Sequence, residues 1–417
     1  MLRSLQLSLR NLARYKTRTI ITIIAVLVSV LVSTLVDGLI RGIFDMSTYN
    51  LLSYESSEVT IYSPGYFEKR KELPTDILID YSLYKDAAEK LDNMGISYTP
   101  RYKSVCEIIS YNDKEDSEFS LNAILVGVDS KKDKAVFKLS ESISDGSWLK
   151  NEDEIVLGSI IADKLHLKVG DIVTLSTTGL MGFNETIDLE VCGIINSEDP
   201  QVNMSQVFVS LDDLNNYLLL DGGVTEIAVS DGLTSVASRK FASKIQDIIG
   251  LNLEAKYYED INDDLMAIMN GDKGSSFVML LFLFIIAGAG ISNTMIMAAM
   301  ERKKETAMLR ALGFSRRTVV SQFVLEGTIT GIIGALLGAL LAVIVIIPLS
   351  KYGLDFTSLL SADMDIGYRI PLIMRPGFYW QSFIVIPLLA IALSALSAFF
   401  PVYKTGKEQI ADLFRRA

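Results

Sequence analysis

The 417-residue chain is half hydrophobic, with mean hydropathy +0.34, and holds 39 basic against 50 acidic residues for a net charge of −11. Its apolar residues gather into four long runs, which excludes an ordinary soluble globule, and the acidic balance offers no basic surface to nucleic acid. One histidine and two well-separated cysteines leave no spaced His/Cys set for a metal.

In chain order, the N-terminal arm, residues 1–17, places Leu2, Leu5, Leu9 and Leu12 at three- and four-residue spacing, with Arg3, Arg10 and Arg14 available for the other face. That pattern predicts a helix lying on the cytoplasmic membrane surface. The first apolar run, Thr19 to Val36, reads as an uncleaved anchor, because no small-x-small site closes it and it continues through Asp37 and Arg41 into a stalk ending at residue 44. Val28, Val32, Leu35, Leu39 and Ile43 form one apolar stripe along it, and Asp37 and Arg41 are spaced to pair.

Residues 45–274 form the large insertion, predicted to be an extracytoplasmic α+β domain. Ser57 to Tyr62, Ser104 to Tyr111, Phe119 to Val128, Val224 to Ser230 and Leu253 to Tyr258 read as strands, and Tyr84 to Met94 and Ser235 to Ile249 as helices. Between about 130 and 223 the texture changes to short strands and turns, including Asp153 to Leu157, Gly170 to Ser176, Ile187 to Ile195 and Gln206 to Ser210, which predicts a β-rich piece inserted into the first module. Cys106 and Cys192 fall on strands assigned to different pieces and are expected to be free, buried thiols. His166, Trp148 and Tyr257-Tyr258 read as packing or surface residues.

The second run, Phe277 to Met300, places Phe277, Leu281, Phe284 and Ile285 in its outer part. A charged loop, 301–317, follows. Within it Ala307, Met308, Ala311 and Leu312 recur at helical spacing before the stop at Gly313, so a short amphipathic helix against the membrane is predicted. The third run, Val319 to Ile347, carries Glu326 and the stripe Gly327, Gly331, Gly334 and Gly338, which suits close helix packing inside the chain or against a second copy. An external loop (350–377), a fourth run (Phe378 to Phe400) with Pro387 inside it, and a basic tail (402–417) complete the chain. The arm counted through Arg18, the loop and the tail together hold 15 basic and 4 acidic residues, leaving a net −22 elsewhere. The positive-inside rule then puts both termini and the loop in the cytoplasm and the insertion outside.

Glu301 to Gly313 followed by Ser315, then Glu326-Gly327 and a glycine-spaced span, resembles the signature of the FtsX/MacB-like permeases of ATP-binding cassette (ABC) transporters. Phe400-Pro401-Val402-Tyr403-Lys404 is similar to the closing segment of that family. Gly158 to Asp171 and Val191-Cys192-Gly193 are similar to its extracytoplasmic domain. Arg10-Asn11-Leu12 and Lys16-Thr17-Arg18 give the chain its likeness to the transmembrane subunits of the lipoprotein-releasing system. The resemblance implies a non-catalytic permease of a bacterial inner membrane that extracts lipoproteins from the outer leaflet by mechanotransmission. Its alternatives are another lipid, peptide or toxin cargo, or a signalling permease controlling an external enzyme.

No Gly-x-x-x-x-Gly-Lys-Ser/Thr loop occurs in the sequence, so ATP and Mg would be bound by a separate ATPase subunit, in two copies, and no cofactor by this chain. The resemblance makes Glu301, Arg302, Glu305, Met308, Leu309, Arg310, Leu312 and Gly313 the contact with that ATPase; an ordinary positive-inside loop is the plainer reading. It further implies a second permease subunit, homologous or identical, a lipoprotein substrate and membrane lipids along the apolar residues of the first two spans. A soluble periplasmic carrier would be met by the hairpin loop Gly179, Leu180, Met181, Gly182 and Phe183, which is shorter than in carrier-recruiting members.

Overall fold

The computed structural model describes residues 10, 12–112, 117–180, 182–232, 239–301, 308, 313–355 and 373–405. Its contacts divide the chain into a helical unit, built from 1–44, 268–362 and 372–417, and an inserted domain built mainly from 45–267.

Among the described residues of the helical unit, four helices are long and apolar enough to cross a membrane. They run from Lys16 to Asn50, Asp263 to Glu301, Arg316 to Tyr352 and Ser382 to Thr405. The first two exceed the apolar runs that seed them by about a dozen residues, since Asp37 to Asn50 and Asp263 to Ser276 remain helical without lying in those runs. Ser315 caps the third helix by accepting from the Thr318 backbone amide at 3.3 Å. The fourth passes through Pro387 without interruption. Val26 and Val30, Ile291 and Met295, Ala335, and Ile386, Ala390 and Ala398 bring one residue set from each helix into a common core. Outside the helices, β11 (Leu354–Asp355) pairs antiparallel with β12 (Ile373–Met374), and residues 356–372 lie outside the described residues.

The inserted domain is built on ten strands: β1 (Val59–Tyr62), β2 (Ser97–Asn112), β3 (Ser117–Val128), β4 (Ile143–Gly146), β5 (Glu154–Gly158), β6 (Ile172–Thr178), β7 (Asn184–Ile195), β8 (Gln206–Ser210), β9 (Glu226–Ser230) and β10 (Glu254–Tyr257). At one end the order is β10-β1-β9-β2, all antiparallel. Helices Tyr81–Asn93 (α1) and Arg239–Ile249 (α5) cover that sheet with Ala87, Leu91, Phe241 and Ile245. At the other end β2, β3, β8, β5, β7 and β6 are each bonded to the next, and β6 returns to β2, so six strands close into a barrel. Short helices Ser159–Lys164 (α2) and Pro200–Ser205 (α3) join its strands, and Leu211–Leu218 (α4) follows β8 on the way to β9. Ile108, Leu125, Leu157, Leu175, Leu189 and Val207 fill its interior.

The expected β-rich piece is therefore not confined to 130–223. β2 and β3 belong to both ends, because β2, at 16 residues, is about 50 Å long. Its first part, Ser97–Arg101, pairs with β9 and its later part, Cys106–Ile109, with β6. Cys106 and Cys192 consequently share the barrel rather than lying on separate pieces. Both thiols are free, and Cys192 is half-buried, a correction to the expected burial that follows from its place on β7 facing Ser147. Burial pushes both thiols up to about 12, with Glu154 adding to the shift at Cys192, so both stay protonated at neutral pH. His166 stands at φ +55° just after α2, with its ring edge-on to Phe119 at 5.6 Å. Trp148, Tyr257 and Tyr258 are core residues.

Candidate functional site

The glycine stripe of the third helix meets two different neighbours. A Cβ on Gly327 would lie 2.5 Å from that of Ala398, and one on Gly331 2.7 Å from that of Ser394, both on the fourth helix. A Cβ on Gly334 would come within 2.7 Å of that of Val26, and one on Gly338 within 2.7 Å of the Leu27 carbonyl, both on the first. Only glycine admits neighbours this close, so the third helix is the spine against which the first and fourth pack.

Polar side chains fasten the bundle at both ends. Glu326, fully buried, lies 3.7 Å from Arg18 at the start of the first helix, and the Arg18 guanidinium also stands over the Tyr15 ring at 5.2 Å. Thr22 of the first helix and Thr294 of the second share a hydrogen bond of 3.3 Å. Toward the other end of the first helix, Arg41 pairs with Asp37 at 3.2 Å and stands over the Tyr379 ring at 5.4 Å, and Ser382 donates to Asp37. There Gly38 and Gly42 form a notch: Gly377 N–H donates to the Gly38 carbonyl at 2.9 Å, and a Cβ on Gly42 would strike the backbone of Arg375. Neither the notch nor the Arg18–Glu326 pair emerges from reading the runs singly, although Gly38-x-x-x-Gly42 was a visible small-residue pattern.

Of the predicted ATPase contacts, Glu301 ends the second helix, Met308 is 60 % exposed and Gly313 turns at φ +91°. Arg302, Glu305, Leu309, Arg310 and Leu312 lie outside the described residues, as do Leu2, Leu5 and Leu9 of the arm. On the first helix Val28 is exposed and Val32, Leu35, Leu39 and Ile43 are half-buried. On the second, Leu281 and Ile285 are exposed, whereas Phe284 turns toward the common core, so these residues do not form one face; for Phe277 only the helical backbone is described.

The loop between β6 and β7 closes with Gly179 N–H donating to the Phe183 carbonyl at 2.9 Å and Gly182 N–H to the Gly179 carbonyl at 3.0 Å. Gly179 is buried, Phe183 is 69 % exposed, Leu180 packs on the barrel core, and Met181 lies outside the described residues. Since Thr177 pairs with Cys106 and Thr174 with Ile109, this loop sits at the end of the barrel where β2 enters, not at the β2–β3 turn.

Arg101 and Asp133 form a deeply buried ion pair in the domain. Arg101 donates to Asp133 at 2.8 and 3.0 Å and lies 3.5 Å over the Phe137 ring, with a further bond of 3.4 Å to the Glu55 carbonyl. Burial pushes the Asp133 carboxyl up, while Arg101 pulls it back. Lys138 ties the chain before β1 to the same region through the Ser53 carbonyl at 2.8 Å and the Tyr49 hydroxyl at 2.6 Å. Among the described residues no group of three or more His, Cys, Asp or Glu is arranged to hold a metal.

Comparison with known proteins agrees with this architecture. The family model described as a MacB-like periplasmic core domain matches residues 19–248, and that of the FtsX-like permease C-terminal region matches 277–410. The lipoprotein-releasing system transmembrane protein LolE of Haemophilus influenzae is 23 % identical over 339 residues, covering 76 % of this chain and 78 % of its own length. LolC of Xylella fastidiosa is 24 % identical, covering 70 % and 73 %. An uncharacterised ABC transporter permease of Methanocaldococcus jannaschii is 22 % identical, covering 64 % and 63 %. The crystal structure of the periplasmic region of MacB from Actinobacillus actinomycetemcomitans aligns with 54 % of this chain and 95 % of its own, at 17 % identity and a TM-score of 0.35.

Proposed function

The chain belongs to the FtsX/MacB-like family of ABC transporter permeases, and from that premise we propose that it extracts lipoproteins from the outer leaflet of a bacterial inner membrane. The observation that carries this reading is the likeness to LolE, whose aligned region covers 76 % of this chain and so reaches beyond either half taken alone. The termini and the 301–317 loop face the cytoplasm, where a nucleotide-binding subunit in two copies supplies ATP and Mg. Met308 and Leu312 enter a groove on that subunit, and Arg302 and Arg310 pair with acids around it.

Nucleotide-driven movement of the loop passes into the second and third helices, which begin and end at it. The third helix carries the first and fourth with it through its glycine contacts, so the bundle responds as a unit. The apolar outer parts of the first two helices, around Val32, Leu35 and Leu281, provide the path for acyl chains. The inserted domain receives the released protein, and Phe183 is the contact for a soluble carrier; deleting Gly179 to Phe183 then impairs handover while leaving extraction intact.

Purification of the intact chain from its own membranes in mild detergent, with mass spectrometry of proteins and attached lipids, tests this. Recovery of an ATPase, a permease partner and acylated proteins is expected. An ATPase accompanied by a cell-wall hydrolase and no acylated protein would select the signalling alternative instead.

A further inference from the structure

The end of the bundle from which the chain leaves for the inserted domain carries three exposed bases on three different segments: Arg41 on the first helix, Lys351 in the last turn of the third, and Arg375 just before the fourth. Those segments touch one another, since the Gly42 notch takes the Arg375 backbone and a Cβ on Gly38 would lie 3.6 Å from the Ile346 side chain of the third helix. The bases also share a level. Arg41 is five residues beyond the first apolar run and Lys351 four beyond the third, which sets them about 7.5 and 6 Å outside the hydrocarbon. A headgroup layer is about 5–8 Å deep. Tyr352 and Trp380, 77 % and 65 % exposed, stand beside them as the aromatic residues of a membrane–water boundary do.

Bases so close to the spans on the outer side run against the positive-inside rule, and their charge is little used within the chain. Among the described residues the Lys351 and Arg375 side chains enter no ion pair or hydrogen bond. Arg41 gives only its Nε to Asp37, at 3.2 Å, while the Tyr379 ring backs its guanidinium and Ser382 shares the same carboxylate. Both terminal nitrogens of Arg41 are thus left with no hydrogen bond among the described residues. The other acid of this rim among those residues is Asp355 on β11. A braced guanidinium fork with two open nitrogens, flanked by two further cations, is complementary to a phosphate group. We propose that this rim binds the phosphate of an anionic glycerophospholipid of the outer leaflet, with Arg41 holding two of its oxygens and Lys351 and Arg375 adding charge. The inference rests on the membrane orientation proposed above and is independent of the cargo.

Trp380 adjoins the site, and the other tryptophan, Trp148, is buried in the inserted domain, so quenching of the full chain's tryptophan fluorescence by bromine-labelled lipid reads occupancy of the rim. In phosphatidylcholine vesicles, brominated phosphatidylglycerol is expected to reach half-maximal quenching at a mole fraction several-fold below that of brominated phosphatidylcholine. Arg41→Gln should remove most of this preference and Arg41→Lys should keep part of it. Lys351→Gln combined with Arg375→Gln, which leaves the Arg41–Asp37 pair intact, should lower it, and Arg317→Gln at the opposite end of the third helix should not change it. Equal quenching by the two lipids, or a preference that survives all three substitutions, would overturn the proposal. Complete displacement by inorganic phosphate in solution would overturn it too, by assigning the site to free phosphate. Each result is read without any acylated protein present, so it stands apart from the outcome for the cargo.

Discussion

The inserted domain and the helical unit solve the burial of polar groups in opposite ways. In the domain, strands close on one another and the charged interior is satisfied from within, as Arg101 is by Asp133, Phe137 and the Glu55 carbonyl. In the helical unit Arg18–Glu326, Asp37–Ser382 and Thr22–Thr294 are internal, yet Asn293 faces outward and one helix is left largely uncovered by the chain. A closed domain can be moved as a body, whereas an incompletely covered bundle has surface left for lipid and for partners. That difference is in keeping with the proposed extraction, in which work done at the membrane would be delivered to a preformed external part.

The contrast breaks most readily at its buried charges. Arg101→Ala should destabilise the domain by about 3–5 kcal/mol, because it strands Asp133 without a partner; thermal unfolding of the intact chain measures it, and a loss under about 1 kcal/mol would mean the domain is not held from within. Glu326→Ala should fall near the lower end of the same range, about 3 kcal/mol, since its partner Arg18 keeps some solvent contact. Exchange of the pair, Arg18→Glu with Glu326→Arg, should recover part of that loss, and failure to do so would remove the pair from the account.

Packing sharpens the comparison further. Gly331→Leu should cost about 1–3 kcal/mol by driving into Ser394, whereas Gly290→Leu, with open space around it, should leave the detergent-solubilised single chain as stable as before. Met308→Asp should weaken association with the nucleotide-binding subunit about tenfold, or about 1.4 kcal/mol, without changing membrane insertion; co-purification on a calibrated titration reads this.

The smallest effect concerns acid stability of the barrel. Burial pushes the Glu154 carboxyl up, but the backbone amides of Asn151 and Lys150 at 3.0 and 2.7 Å, together with the Asn151 side chain, outweigh it and hold it below the usual glutamate value. A folded value below the unfolded one gives stability that is present above the unfolded pKa and lost as pH falls through the folded one. Glu154→Gln should therefore reduce stability at neutral pH and flatten its decline on acidification; an unchanged acid limb would contradict the assignment.

The four helices and most strands were legible in sequence because each is marked by its own period: about 20 apolar residues for a span, alternation for β6 and β7. Closure of the barrel was not, since nothing local to Ser97–Asn112 says that one strand will pair with β9 at its start and with β6 farther along. The same limit applies to the bundle. The third-helix glycines stood out as a stripe, but which helix each would meet depends on crossing geometry, and Arg18 and Glu326 are joined only by the fold. Asn293 was readable as a polar residue in an apolar run, and only the burial of Gly288, Ile291 and Met295 reveals that it faces away from its own chain.

The most direct test of the central reading is to place the purified chain, its ATPase and its permease partner in liposomes loaded with a fluorescent acylated protein, and to follow the protein leaving the bilayer on addition of ATP and Mg. The account predicts ATP-dependent release that Met308→Asp lowers at limiting ATPase subunit and that excess ATPase subunit restores. ATP hydrolysis by the assembled complex with no release of the acylated protein would contradict it.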